Sequence, residues 1–214
     1  MSVALVWLGF LLGLRHALEP DHLTAVAALA SQSGGARRLA RVAAAWGAGH
    51  AVVLLGVGVA LVWTGAHWPP AVAGALELAA GAVLVWLGVD VVRRVAAPAP
   101  ALRAAGAVAA DPTGAFAARA FFVGGVHGVE GSGAVVLLAL PSVRSTATAA
   151  AYLGSFGVGS VAGMLACSLL VTLPVGMAAR RFARYAPRLQ LVIGATSIAV
   201  GGAMIAGYIR SILT

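Results

Sequence analysis

The sequence predicts an all-α membrane protein with six transmembrane helices, arranged as two inverted three-helix repeats, the first span being broken near Pro20. Three observations predict it. Hydrophobic residues make up 61% of the 214-residue chain and charged residues only 9%. Apolar runs of about 20 residues, long enough to cross a hydrocarbon layer as helix, recur from end to end. The arginines gather in short clusters between those runs, as they do in cytoplasmic loops.

Spans are expected at 2–31, 40–64, 70–93, 116–140, 146–173 and 188–210. The first run leads into ionisable residues rather than a small-residue cleavage site, so it reads as a span and not as a signal peptide. Between the third and fourth spans, "VAAPAPALRAAGAVAADPTGA" has prolines, Arg103 and Asp111, which argue against a further crossing. The expected units are thus a first repeat at 1–93, a linker at 94–115 and a second repeat at 116–214.

Arginine positions orient the spans. Arg37, Arg38 and Arg41 follow the first span, Arg93, Arg94, Arg103 and Arg119 follow the third, and Arg180, Arg181, Arg184 and Arg188 follow the fifth. Only Arg144 and Arg210 fall on the opposite side. This bias puts both termini outside the cytoplasm, in a cell (inner) membrane. The net charge of +8 therefore reports topology, and no nucleic-acid partner is implied. Cys167 is the single cysteine, which excludes an internal disulfide or a thiol-disulfide carrier and leaves a small packing residue.

The halves resemble each other. "RHALEPDHLTAV" aligns with "VHGVEGSGAVVL", pairing His16 with His127 and Glu19 with Glu130, both 111 residues apart. "LELAAGAVLVWLG" aligns with "LQLVIGATSIAVG", matching Gly81 and Gly88 to Gly194 and Gly201. Three spans per half is an odd number, so the second copy enters from the other side. Such inverted repeats are typical of secondary transporters, whose sites lie near the midplane at interrupted helices.

Ionisable residues within the spans are few, and most fall near the middle: His16, Glu19, Asp21, His22, His50, His127 and Glu130. A charge at a helix centre costs about 2.5–3.5 kcal/mol, so their clustering points to function. Imidazole nitrogens with carboxylate oxygens suit nickel, cobalt, zinc, copper or iron rather than magnesium or calcium. On an unbroken helix His16 shares a face with Glu19, and Glu19 with His22, while Asp21 turns away from His16. Pro20 cannot donate to the His16 carbonyl, and the break is expected to free that carbonyl and let the ligands converge. Asp21 then opens the second half-helix, where its charge is favoured. Arg15 is expected to offset part of the negative charge. Gly47, Gly49, Gly56 and Gly58 around His50 let neighbouring helices approach, and His127 and Glu130 are candidates for further ligands or a proton-coupling pair.

Other polar residues read more plainly. Glu77 and Asp90 lie nearer span ends and suit structural roles, His67 beside Trp68 suits an interface, and Met164, Met177 and Met204 suit packing. Ser132 in "EGSG" raises an intramembrane serine protease, but the sixth span supplies no histidine base, so no enzyme is expected.

"RHALEPDH" resembles the H-x-x-x-x-D-H signature of nickel/cobalt transporters, and Gly49-His50 resembles the histidine motif of the next span in that family. The chain as a whole is similar to the short six-span nickel permease-like branch, often linked with urease or other nickel enzymes. The resemblance implies His16, Asp21, His22 and His50 as metal-recognition residues, and Ni2+ or Co2+ as a transported substrate with no resident cofactor. It also implies nickel-enzyme maturation proteins as partners beside the metal ion and the lipid bilayer. Two departures are Ala51, where long members have serine, and Glu19-Pro20 before the Asp-His pair. The 94–119 loop holds no histidine, unlike the histidine-rich loop of the efflux branch. The implied function is uptake, with proton-coupled efflux and a non-transporting accessory role as alternatives.

Overall fold

A computed structural model describes residues 3–31, 36–65, 69–97, 114–139, 146–181 and 185–213. The side chains at 30, 36, 39, 130–139, 146 and 171–181 lie outside that description, as do His67, Arg103, Arg144, Arg184 and most of the expected linker. Seven helices account for the described residues: α1 (Val3–His16), α2 (Pro20–Ser31), α3 (Ala36–Thr64), α4 (Pro70–Ala96), α5 (Ala115–Ala139), α6 (Thr146–Arg181) and α7 (Ala186–Leu213). Stretches of α3, α4, α6 and α7 are each long and apolar enough to cross a membrane, and α1 with α2 meets the same test as a pair bent by 59°. The chain is a multi-pass, all-helical membrane protein. The described apolar part of α5 is the shorter stretch Ala115–Val129.

Local chemistry explains the ends. Gly65 follows α3 with φ of 66°, the left-handed conformation that closes a helix and that glycine adopts without a Cβ clash. Pro70 opens α4, where its missing N–H has no helical partner to lose. Ala97 then leaves α4 in an extended conformation, the one favoured before a proline such as Pro98.

The bend between α1 and α2 is a tightened turn and not an open gap. Leu18 N–H donates to the Arg15 carbonyl at 2.9 Å and Glu19 N–H to the His16 carbonyl at 3.0 Å. Pro20 cannot supply the next donor, and α2 restarts when Leu23 N–H reaches the Glu19 carbonyl at 3.0 Å. The expectation that the His16 carbonyl would be freed is therefore corrected, because the Glu19 amide takes it. Polar backbone at this depth needs such internal partners, since hydrocarbon offers none.

The helices pair across the two halves of the chain. The most extensive contacts are α3 with α5, α4 with α7 and α1 with α6. Contacts along α1 and α6 rise together, from Gly9 against Tyr152 to Gly13 against Phe156 and Gly163 against Ala17, so these helices run the same way. The α4 and α7 helices run oppositely, with Gly74 at Tyr208, Gly81 at Gly201 and Gly88 at Gly194. Small residues make these approaches close: a Cβ at Gly13, Gly49 or Gly124 would meet a carbonyl of the facing helix. Among the glycines expected to serve this end, Gly49 does so against Phe121, whereas Gly56 faces open space.

Contacts gather the arginine-bearing ends on one side. Asp90 near the end of α4 accepts from Arg119 near the start of α5 at 3.0 Å and from Arg94 at 3.2 Å. The Arg119 guanidinium also lies 3.9 Å from the Trp86 ring centre, and Arg38 lies over Phe116 at 4.8 Å. At the same end Gln190 of α7 donates to the Ser31 carbonyl of α2 at 3.2 Å. Asp90 thus has the structural role its position suggested.

The α4·α7 crossing yields a test on adjacent residues. A Cβ at Gly201 would press on the Gly81 carbonyl and on Leu84, whereas one at Gly202 meets nothing within 4 Å. Gly201→Ala is expected to cost about 1–3 kcal/mol by overpacking. Gly202→Ala should be neutral or stabilise by up to about 1 kcal/mol through helix propensity. Thermal unfolding of both variants in detergent micelles checks the contrast.

Candidate metal centre

The bend positions the site. His16 ends α1, His22 lies in the first turn of α2, and both are buried. His50 of α3 and His127 of α5 are fully buried beside them. The His16 ring centre is 4.3 Å from that of His22 and 5.3 Å from that of His50, and His22 and His50 are 5.2 Å apart. One ring nitrogen from each of these three lies within 4.8 Å of the others. His127 joins at 5.7 Å from His22.

These spacings match a shared ion. A divalent ion held at about 2.0–2.1 Å from an imidazole nitrogen has that ring's centre about 3.2 Å away, so two such rings at 90–110° have centres about 4.5–5.2 Å apart. The alternative, a network of hydrogen-bonded histidines, leaves its own mark, because buried ring nitrogens then find partners. Here His16 Nε2, His22 Nε2, both nitrogens of His50 and His127 Nε2 are buried with no hydrogen-bond partner among the described residues. Several unpaired polar atoms in one buried place are costly, and a cation would satisfy them together.

Carboxylates stand behind two of the rings. His16 Nδ1 lies 2.8 Å from Glu19 Oε2, one helical turn on. Its proton then belongs on Nδ1, and the lone pair on Nε2 points to the cluster. Asp21 Oδ2 lies 2.9 Å from His22 Nδ1, but off the direction of a good hydrogen bond, so the contact orients that ring less firmly. Glu19, Asp21 and His22 also offer atoms within 4.8 Å of one another, a second donor set overlapping the first. Glu19 is half exposed, which opens this set towards the surrounding medium. Arg15 is exposed, and the expectation that it offsets the carboxylates is corrected. Among the described residues no ion pair joins it to them, and the groups beside Glu19 and Asp21 are the imidazoles.

The structure thus brings His16, His22, His50, Glu19 and Asp21 to one place, with Pro20 at the break and His127 at its edge. The side chains of Glu130 and Ser132 lie outside the described residues. Two aromatic walls were not foreseen. The Trp46 ring centre lies 5.5 Å from His22 and 6.1 Å from His127, and that of Phe156 lies 5.4 Å from His16. Trp46 is one turn before His50, a spacing that could have exposed it. Phe156 arrives from a distant helix with no comparable signal.

Against known proteins, the chain is 29% identical over 184 residues to the urease accessory protein UreH of Bacillus sp. (strain TB-90), covering 84% of this chain and 81% of that one. The chain is similar to a urease accessory protein. No family model and no solved structure matches it. The likeness to UreH spans most of both chains, so it is not confined to the histidine segment.

The Glu19 contact is testable by metal binding. Groups that hold a ligating imidazole by its other nitrogen contribute about 10–100-fold to metal affinity. Glu19→Ala is expected to weaken Ni2+ or Co2+ binding by about that factor, with Glu19→Gln intermediate because its amide oxygen still accepts from Nδ1. Calorimetric titration of the detergent-solubilised protein checks the order.

Proposed function

We propose that this protein is a secondary transporter that takes up a divalent transition-metal ion, nickel or cobalt, through an alternately exposed site formed by His16, Asp21, His22 and His50. The observation that carries this reading is the set of buried imidazole nitrogens, unpartnered among the described residues, at a break between two apolar helices. Imidazole donors suit nickel and cobalt, and a broken helix lets donors from two half-helices converge on one ion. Similarity to UreH supports a link to urease, and through the family resemblance of "RHALEPDH" to nickel supply.

On this reading α1 with α2, α3, α4, α5, α6 and α7 are six alternating spans. The arginine-rich end lies in the cytoplasm, and both termini lie outside it. Two inverted repeats then meet at the site. An inside-negative potential favours entry of a divalent ion by about 4.6 kcal/mol per 100 mV, twice the single-charge value, so uptake needs no second driving force. Efflux would need a coupled ion. A second reading has its own support in the word accessory: the protein could bind metal for a maturation partner without moving it.

Radiolabelled nickel flux into proteoliposomes of fixed orientation, with and without a pH gradient, separates these readings. Potential-driven nickel accumulation independent of the pH gradient is expected, and binding without flux would leave the accessory role. In cells, His16→Ala and His22→Ala are each expected to abolish nickel accumulation with the protein still in the membrane. Wild-type accumulation in either variant would remove the site assignment.

A further inference from the structure

The contacts of one half recur in the other with a nearly constant sequence offset. A Cβ at Gly13 would meet the Phe156 carbonyl, and one at Gly124, 111 residues on, would meet that of Trp46. A Cβ at Gly49 would meet the Phe121 carbonyl, and one at Gly159 would meet that of Phe10. Phe10 and Phe121 are again 111 residues apart, and Trp46 and Phe156 are 110 apart, as are Gly49 and Gly159. Gly81 faces the Gly201 carbonyl while Gly194 faces that of Gly88, so the α4·α7 crossing maps onto itself. Within this frame His16 packs on Phe156 and His127 on Trp46, each imidazole against the aromatic ring of the opposite half. His127 occupies in the second half the place that His16 occupies in the first.

The state of the His127 ring fits the same role. Its Nδ1 lies 3.0 Å from the Val123 carbonyl, which can only accept, so Nδ1 carries the proton and Nε2 has the free lone pair. That Nε2 is buried and without a partner among the described residues, and the ring centre is 5.7 Å from His22; this is wider than two imidazoles on one ion, and His127 stands outside the trio whose nitrogens lie within 4.8 Å of one another, so binding draws its ring inward. Resting on the metal-transport reading above, we infer that His127 is a fourth imidazole ligand of the transported ion, bound through Nε2 and supplied by the second half. A site shared in this way ties the ion to both bodies whose relative motion would move it, and a site on the first half alone would not. The carboxylates that back His16 and His22 are replaced here by a helix carbonyl, which holds the ring to the rigid frame of α5.

The test uses the full chain in lipid nanodiscs with sub-stoichiometric Ni2+, read by X-ray absorption, in which imidazole ligands give outer-shell scattering that can be counted. Wild type is expected to show four imidazoles, from the five histidines of the chain. His127→Asn retains a donor for the Val123 carbonyl and loses the Nε2 position, while His127→Gln places a donor atom nearer to Nε2. The expected result is three imidazoles and at least about tenfold weaker binding in His127→Asn, with His127→Gln binding more tightly than His127→Asn. A wild-type count of three that needs His16, or a His127→Asn variant with wild-type count and affinity, overturns the inference and leaves the transport reading standing. Wild type that binds neither Ni2+ nor Co2+ overturns both.

Discussion

A helix cannot be interrupted inside hydrocarbon unless each amide and carbonyl it releases is paired again within the protein. At residues 17–19 part of that requirement is met by two short-range bonds, Leu18 to Arg15 and Glu19 to His16, before α2 restarts on Glu19. The turn is tight enough to change the direction of the span by 59°. It also places His16 at the last position of one helix and His22 in the first turn of the next, with their ring centres 4.3 Å apart. The backbone solution and the donor geometry are one feature. Proline at position 20 serves both, because it withholds the donor that would continue α1 and starts α2 without losing a bond.

What surrounds the bend follows from how helices associate in lipid. Apolar side chains gain little from meeting one another there, so close contact depends on small residues and on the occasional interhelical hydrogen bond. Gly124 and Gly128 bring α5 against the backbone of His50, and Gly13 and Gly163 bring α6 against the end of α1. Ser197 adds a buried bond to the Leu84 carbonyl at 2.8 Å across the α4·α7 crossing. These approaches place His50 and His127 within reach of the bend. A Cβ on Gly124 would push against Trp46 and the His50 amide, so glycine there sets the position of two imidazoles and one aromatic wall.

Much of this was legible in the chain. The apolar runs correspond to the helices, and "RHALEPDH" placed both the break and the first donors, because proline, histidine and carboxylate are costly in hydrocarbon and stand out against it. What stayed hidden concerns faces and partners. Helices apolar on all sides have no polar stripe to mark which side turns inward, so Gly49 and Gly56 look alike in sequence although only one meets a neighbouring backbone. Arg15 looked like a counter-charge because its neighbours along the chain are the site residues, yet it is exposed. Phe156 could not be found at all, since the pairing of α1 with α6 joins residues that local spacing does not connect.

If the two halves are inverted repeats, they share a frame but not its chemistry, and the difference bears on how such a protein would move. Between His16 and His22 the first half has Glu19, Pro20 and Asp21, whereas the matching stretch after His127 reads Gly128, Val129, Glu130, Gly131, Ser132 and Gly133. Proline fixes a break, so the bend at α1 and α2 is present whether or not an ion is held. Glycine only lowers the cost of leaving the helix, by about 1 kcal/mol per residue relative to alanine, and α5 runs unbroken through Ala139. A rearrangement that opened the opposite side would therefore bend α5 more cheaply than it would straighten α1 into α2. On the proposed repeat, internal symmetry would make a second bend geometrically available, and the glycines would lower its cost in the half that lacks the proline.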